Sequence, residues 1–173
     1  MGLRPAKCYR KIERPYTRQS RRKPKLSYVK GAPSIKIRKF ELGNPKKQFP
    51  LRYGLFVKED VQIRHNALEA VRVALNKVLE KNLGKENYFA KILVYPHHVL
   101  RENVLATGAG ADRFQTGMRL AFGKVIGTAA QVKQGQQIVE VRANKGAENV
   151  VKKALKVASS KVPVPCRIMP IES

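Results

Sequence analysis

Long apolar runs are missing from this chain. No stretch approaches the roughly 18 consecutive apolar residues that a membrane-spanning helix needs. The opening residues Met1-Gly2-Leu3-Arg4-Pro5-Ala6 hold no apolar signal core. Gly2 invites a lipidation reading, but that pattern wants Ser or Thr where Ala6 stands. A cytoplasmic protein with no membrane partner is therefore expected. Cysteine is scarce as well. Cys8 and Cys166 are the only two, and their spacing fits neither a disulfide framework nor a metal site, so reduced thiols are expected. The third shortage is of negative charge: 12 Asp and Glu stand against 36 Lys and Arg in 173 residues, a net charge of +24. Self-repulsion at that charge opposes compaction unless a polyanion neutralises it. With a membrane surface set aside, nucleic acid is the polyanion that fits.

Motifs for small-molecule chemistry are missing too. Gly117 to Lys124 resembles a phosphate-binding loop at first glance. Such a loop needs four residues between its glycines and a hydroxyl after the lysine. Here five residues separate Gly117 from Gly123, and Val125 takes the hydroxyl position. Gly108-Ala109-Gly110 begins a dinucleotide fingerprint, but Arg113 occupies the place of the third glycine. His97 and His98 are adjacent, so in a strand they point to opposite faces, and His65 is distant in sequence. Ser27, Ser34, Ser159 and Ser160 sit in no nucleophile context. No cofactor, no metal and no catalytic residue is expected.

What is present is positive charge, unevenly placed. Residues 1–52 hold 17 Lys and Arg against 2 acidic residues, well over half of the net charge in under a third of the length. Residues 1–32 read as a basic extension. Arg4, Lys7, Arg10, Lys11, Arg14, Arg18, Arg21, Arg22, Lys23, Lys25 and Lys30 are spread along it, and Pro5, Pro15 and Pro24 block a long helix. Large aliphatic residues are too few for a core of its own. Tyr9, Tyr16 and Tyr28 lie among the cations, a mixture that suits RNA, where bases and sugars offer stacking partners.

Residues 33–173 read as one α+β domain. Ile35 and Ile37 alternate with Lys36 and Arg38, a half-buried strand. One or two short strands are expected within residues 53–63. A helix follows, with Asn66 and Glu69 placed as a capping box, Leu68, Val71, Leu75, Val78 and Leu79 as its apolar stripe, and Gly84 as its stop. A central strand is expected over residues 88–95. Residues 124–132 and 137–143 look like a hairpin joined across Lys133–Gln136. A second helix over about 146–159 presents Val150, Val151, Ala154, Leu155 and Ala158 on one face. A last strand over 162–168 is demoted to a sheet edge by Pro163 and Pro165.

Between these elements, residues 106–117 are rich in glycine and alanine, have no periodicity and read as a mobile loop. Small residues let a backbone approach another molecule closely. Further along, Arg119 and Lys124 can meet phosphates, as can Arg113 within the loop, while Phe114 and Phe122 offer apolar faces.

Here a resemblance enters. Residues 109–130, AGADRFQTGMRLAFGKVIGTAA, resemble the signature of a universal large-subunit ribosomal protein family, called ten-e in archaea, the sixteenth large-subunit protein in bacteria and QM in animals. MGLRPAKCYR at 1–10, RPYTRQSRR at 14–22, IKIRKFELGN at 35–44 and YPHHVLREN at 95–103 resemble it too, so the likeness runs along the whole chain in order. The absence of a longer C-terminal tail looks archaeal. Relatives often have Pro after the Phe-Gly-Lys, where this chain has Val125.

The resemblance implies a two-layer, hammerhead-like α/β sandwich with two helices on a mixed, mainly antiparallel sheet, plus the basic N-terminal extension. It implies no enzymatic activity, and binding to large-subunit rRNA near the peptidyl-transferase centre. By the same likeness, Gly108, Ala109, Gly110, Ala111, Asp112, Arg113, Phe114 and Gln115 belong to a loop directed at tRNA. 5S rRNA and neighbouring ribosomal proteins are further partners it admits. The extension is expected to order when rRNA supplies phosphates, because its apolar content does not offset the entropy of ordering. Two other classes stay open on the residues alone: an RNA chaperone or regulator acting off the ribosome, and an RNA-modifying or cleaving enzyme using His98 or Glu102.

Overall fold

The computed structural model describes residues 3–12, 23, 25, 29, 31–103, 105, 108–110, 118–119 and 122–171. Among them eight strands and two α-helices form an α+β fold: β1 (Glu41–Gly43), β2 (Leu51–Val57), β3 (Val61–Arg64), α1 (His65–Leu83), β4 (Tyr88–Ile92), β5 (His98–Glu102), β6 (Lys124–Val132), β7 (Gln137–Ala143), α2 (Glu148–Ser159) and β8 (Cys166–Pro170). The strands divide into two sheets. The larger has the order β1-β4-β7-β2-β8 and the smaller β3-β6-β5. Every described pairing is antiparallel.

The helices pack on each other. α2 also covers β2, β7 and β8, and α1 reaches β3, β4 and β6. Most of the predicted stripes are fully buried, Leu68, Val71, Leu75 and Leu79 on α1 and Val151, Ala154, Leu155 and Ala158 on α2, while Val78 and Val150 are half-buried. Each leucine taken from water contributes about 1.5–3 kcal/mol. Leu55, Val57, Val139, Val141 and Ile138 meet these stripes from the sheet in one continuous core. α1 ends at Gly84, whose φ of 75° only glycine adopts cheaply and whose N–H donates to the Glu80 carbonyl at 3.1 Å.

Several expectations are corrected. β6 and β7 have the expected residues but do not form a hairpin, since they lie in different sheets. The connection Lys133–Gln136 is a corner beside a second corner between β2 and β3. Gly135 N–H donates to the Val57 carbonyl at 2.9 Å, Val57 N–H to the Gln136 carbonyl at 3.2 Å, and Gln134 N–H to Asp60 Oδ1 at 2.7 Å. β2 thus pairs with β7 and β3 with β6 on either side of the corner, and the two ribbons bend together from one sheet into the other. An alternating pattern bounded by a glycine turn cannot distinguish this bend from a hairpin.

Residues 35–38 alternate in burial but join no ladder. Ile37 is fully buried, while Lys36 N–H donates to His65 Nδ1 at 2.9 Å instead of to a strand. The ladder starts only at Glu41, opposite Lys91. The capping box does not form. α1 begins at His65 with Arg64 in the cap position and no side-chain cap. Glu69 is drawn away by Arg72, which donates to both of its oxygens at 2.9 and 2.6 Å. The strand expected over 88–95 stops at Ile92, inside the sheet between β1 and β7. The last strand is shifted to Cys166–Pro170, past both internal prolines, and lies at the sheet edge as they require.

Candidate nucleic-acid interface

Two stretches of the expected site meet on the smaller sheet. The first is the N-terminal segment. Gln62 of β3 is a polar residue only 5% exposed, which demands partners for its amide. Its Nε2 donates to the carbonyls of Tyr9 (3.0 Å) and Lys11 (3.2 Å), its backbone N–H to the Arg10 carbonyl (2.9 Å), and its Oε1 accepts from Gln131 (3.1 Å). Residues 9–11 are therefore seated on the free edge of β3. Upstream, Ala6–Cys8 make a short 3-10 turn. The Arg64 guanidinium lies over the Tyr9 ring at 5.5 Å, a cation–π contact. Tyr9 OH donates to Glu102 Oε2 at 3.3 Å, and Arg4 Nε is ion-paired to Glu102 Oε1. Burial, and then the Glu102 charge, push the Tyr9 hydroxyl above its ordinary pKa, so it stays a donor.

Of the cations named for rRNA, Arg4, Lys7, Arg10 and Lys11 sit on this seated segment, and all four are exposed. Arg10 also lies 3.5 Å from Glu59, an exposed pair worth little. Lys23 and Lys25 are exposed. Arg14, Arg18, Arg21 and Arg22 lie outside the described residues.

The second stretch is the glycine-rich loop, which leaves the sheet after β5 and re-enters it at β6. Of the residues named for it, Gly108, Ala109 and Gly110 are exposed, while Ala111, Asp112, Arg113, Phe114 and Gln115 lie outside the described residues. Arg119 is exposed, as is Lys124, which opens β6 opposite Glu102. At the loop's root, Gly123 has φ of 73°, and a Cβ there would stand 2.6 Å from the Glu102 carbonyl carbon and 2.7 Å from its oxygen. Only glycine permits that approach. The Arg101 guanidinium carbon lies over Phe122, 3.7 Å from the ring centroid, and Arg101 donates to the Gly123 carbonyl at 3.4 Å. Phe122 is 64% exposed, so its outer face is available to a base. Val125 continues as strand opposite Arg101, next to a register shift.

The histidines are structural in their surroundings. His65 is buried and accepts from Lys36 N–H. Burial, then the charges of Lys36 and Arg64, depress its pKa, and burial does the same to His98. Ring contact places His97 against Tyr95 at 4.3 Å. Among the described residues no group of three metal-ligating side chains forms, and no helix is long and apolar enough to cross a membrane. Sequence reasoning missed two features. Gln62, whose amide holds residues 9–11, has nothing in its local sequence to mark it, and Glu102, named only as a candidate for catalysis, is the residue that touches both stretches. Lys152, Lys153 and Lys156 of α2 border an open groove of about 540 Å³ floored by Tyr53, Ile168 and Pro170. In the sequence, the apolar stripe of their helix is the visible signal, and the lysines opposite it look like an ordinary solvated face.

Exposed cations on a seated segment, beside the root of a glycine-rich loop with an aromatic face, define a basic α+β domain built to meet a polyanion. Comparison with known proteins makes the class specific. Residues 13–169 match the family model described as Ribosomal protein L16p/L10e, and the chain belongs to that family. It is 52% identical over 170 residues to the Large ribosomal subunit protein uL16 of Staphylothermus marinus, covering 98% of this chain and 94% of the relative. Its identity to the protein of the same name from Methanococcus maripaludis is 47%, over the same shares of each chain. For that of Archaeoglobus fulgidus it is 45%, covering 98% and 93%.

Proposed function

We propose that this chain is a structural, non-enzymatic constituent of the large ribosomal subunit in the cytoplasm. It binds large-subunit rRNA and helps to position tRNA during translation. The observation that carries the reading is the near full-length match to proteins named for the large subunit. In this reading residues 1–32 are the rRNA-binding arm and residues 33–173 the domain that carries the loop. Arg4, Lys7, Arg10, Lys11, Arg14, Arg18, Arg21, Arg22, Lys23 and Lys25 neutralise rRNA phosphates. Arg119 and Lys124 add contacts at the loop's root, and residues 108–115 face tRNA near the peptidyl-transferase centre. Neighbouring ribosomal proteins, and 5S rRNA, complete the surroundings. The concentration of +15 of the net charge of +24 in residues 1–52 supports the arm assignment.

The test is reconstitution. Large-subunit cores stripped of this protein should rebind it, with log affinity falling against log salt at a slope of roughly −6 to −9 for about 8–10 phosphate contacts. Deleting residues 108–116 should leave rebinding largely intact and impair tRNA accommodation. Equal loss of both would overturn the division of labour. A chain that sediments apart from the large subunit at moderate salt would overturn the ribosomal reading itself.

A further inference from the structure

A carboxylate close to an RNA-binding surface weakens its pull on phosphate, and this chain has only 12 acidic residues. One of them, Glu102, stands between the two stretches of the candidate interface. Its side chain is 17% exposed. One oxygen takes Arg4 Nε, and the other accepts from Tyr9 OH at 3.3 Å. Its backbone is the surface against which Gly123 closes the root of the glycine-rich loop, and its Cα is paired with that of Lys124. Glu102 thus touches both the N-terminal segment and the loop's root, across sequence separations of 98 and 93 residues to Arg4 and Tyr9.

The Arg4 guanidinium carries five N–H donors in a planar fork. Glu102 engages it at Nε, an edge that does not include the second pair of Nη donors of the fork. The Arg4 side chain remains 48% exposed. A guanidinium held on one side by a carboxylate has surrendered most of its rotamer freedom before a phosphate arrives, so the second, bidentate contact costs less ordering. The hydrogen bond and charge of Glu102 raise the Arg4 pKa further, keeping the fork fully protonated.

We infer that Glu102 is a positioning residue: it seats Arg4 so that the open edge of its guanidinium meets an RNA phosphate beside the root of the glycine-rich loop. The inference rests on the proposed rRNA-binding role and predicts a sign opposite to simple charge counting. Removing a carboxylate from a protein of net charge +24 should strengthen RNA binding. Removing this one should weaken it.

The experiment measures affinity of the full chain for protein-free large-subunit rRNA at one fixed, moderate salt concentration. The variants are Glu102→Gln, Arg4→Gln, the pair together, and Glu41→Gln, an exposed carboxylate paired with Lys91 on β1. Glu102→Gln and Arg4→Gln should each weaken binding about five- to tenfold, and the pair no more than either alone, as coupled neighbours do. Glu41→Gln should bind as wild type or slightly tighter. Binding of Glu102→Gln at or above wild-type strength overturns the inference, as does full additivity of the pair. Amide hydrogen exchange of residues 3–11 without RNA supplies a second reading. Protection lost in both single variants supports the seating, and protection unchanged in Glu102→Gln overturns it. If the wild-type chain ignores rRNA altogether, the ribosomal role fails on that arm, and the exchange data alone decide whether Glu102 seats Arg4.

Discussion

Replacing Gly123 with alanine tests how tightly the root of the glycine-rich loop is built. At φ of 73° an L-residue gives up about 1–2 kcal/mol by conformation alone. The added Cβ would also stand 2.6–2.8 Å from the Glu102 carbonyl and the Asn103 nitrogen. These are backbone atoms at the end of β5, so no rotamer change relieves them, and overpacking of this kind costs about 1–3 kcal/mol more. The total, about 2–5 kcal/mol, corresponds to a fall in Tm of roughly 10 °C for a domain of this size. Gly135 supplies the comparison. Its φ is 75°, nearly the same, but nothing lies within 4 Å of its missing Cβ. Gly135→Ala should therefore lower Tm by roughly 5 °C or less, from conformation only. The assay is thermal unfolding of both variants in one buffer, with amide exchange at residues 100–103 as the local readout. Equal shifts in Tm would refute the argument, because the close approach to Glu102 would then contribute nothing.

Three further outcomes follow from the same geometry. Gln62→Ala removes two side-chain hydrogen bonds to the N-terminal segment, each worth about 1 kcal/mol net. It should leave the domain folded but raise amide exchange across residues 8–11 at least tenfold, and unchanged exchange would contradict the seating. Stability should also decline as the pH drops below about 6.5. His65 and His98 have depressed pKa values in the fold, so the unfolded chain takes up protons first, starting near the ordinary value of 6.5. Each such group can contribute a slope of up to about 1.4 kcal/mol per pH unit between its unfolded and folded pKa values. Urea titrations at pH 7.5 and 5.5 read this, and His65→Gln should flatten the profile. Finally, Phe122→Ala should weaken rRNA binding by about 1–3 kcal/mol, the worth of one unpaired base stacked on the exposed ring, whereas Phe122→Tyr should be neutral. Filter binding compares the two.

The helices were legible because their period is long enough to repeat. Leu68, Val71, Leu75 and Leu79 recur on one side over three turns, and Gly84 marks the stop. Strand positions were legible too, since alternation survives in β6 and β7. Their pairing was not. Whether a glycine turn folds two strands together or bends them into separate sheets depends on what lies beside the turn. Here that is Val57 and Asp60, more than 70 residues earlier in the chain. Residues 35–38 failed for a related reason: burial of Ile37 was visible, but the partner of the Lys36 N–H was a histidine ring and not a strand. In the site, the cations announced themselves by number. The seating roles of Gln62 and Glu102 did not, because one buried amide and one carboxylate have no local pattern and take their meaning from partners about 50 to 100 residues away.

The double corner where β2–β3 and β7–β6 bend together has a mechanical consequence. Both the seated N-terminal residues and the loop's two ends spring from a sheet only three strands wide, which is itself a folded-over continuation of the larger one. That flap does not hang on a single connection, since two segments cross the fold side by side and are stapled there by the bonds among Val57, Asp60, Gln134, Gly135 and Gln136. The spacing between residues 9–11 on the β3 edge and Gly123 at the loop's root is accordingly set within the short ladder β3-β6-β5 that carries both.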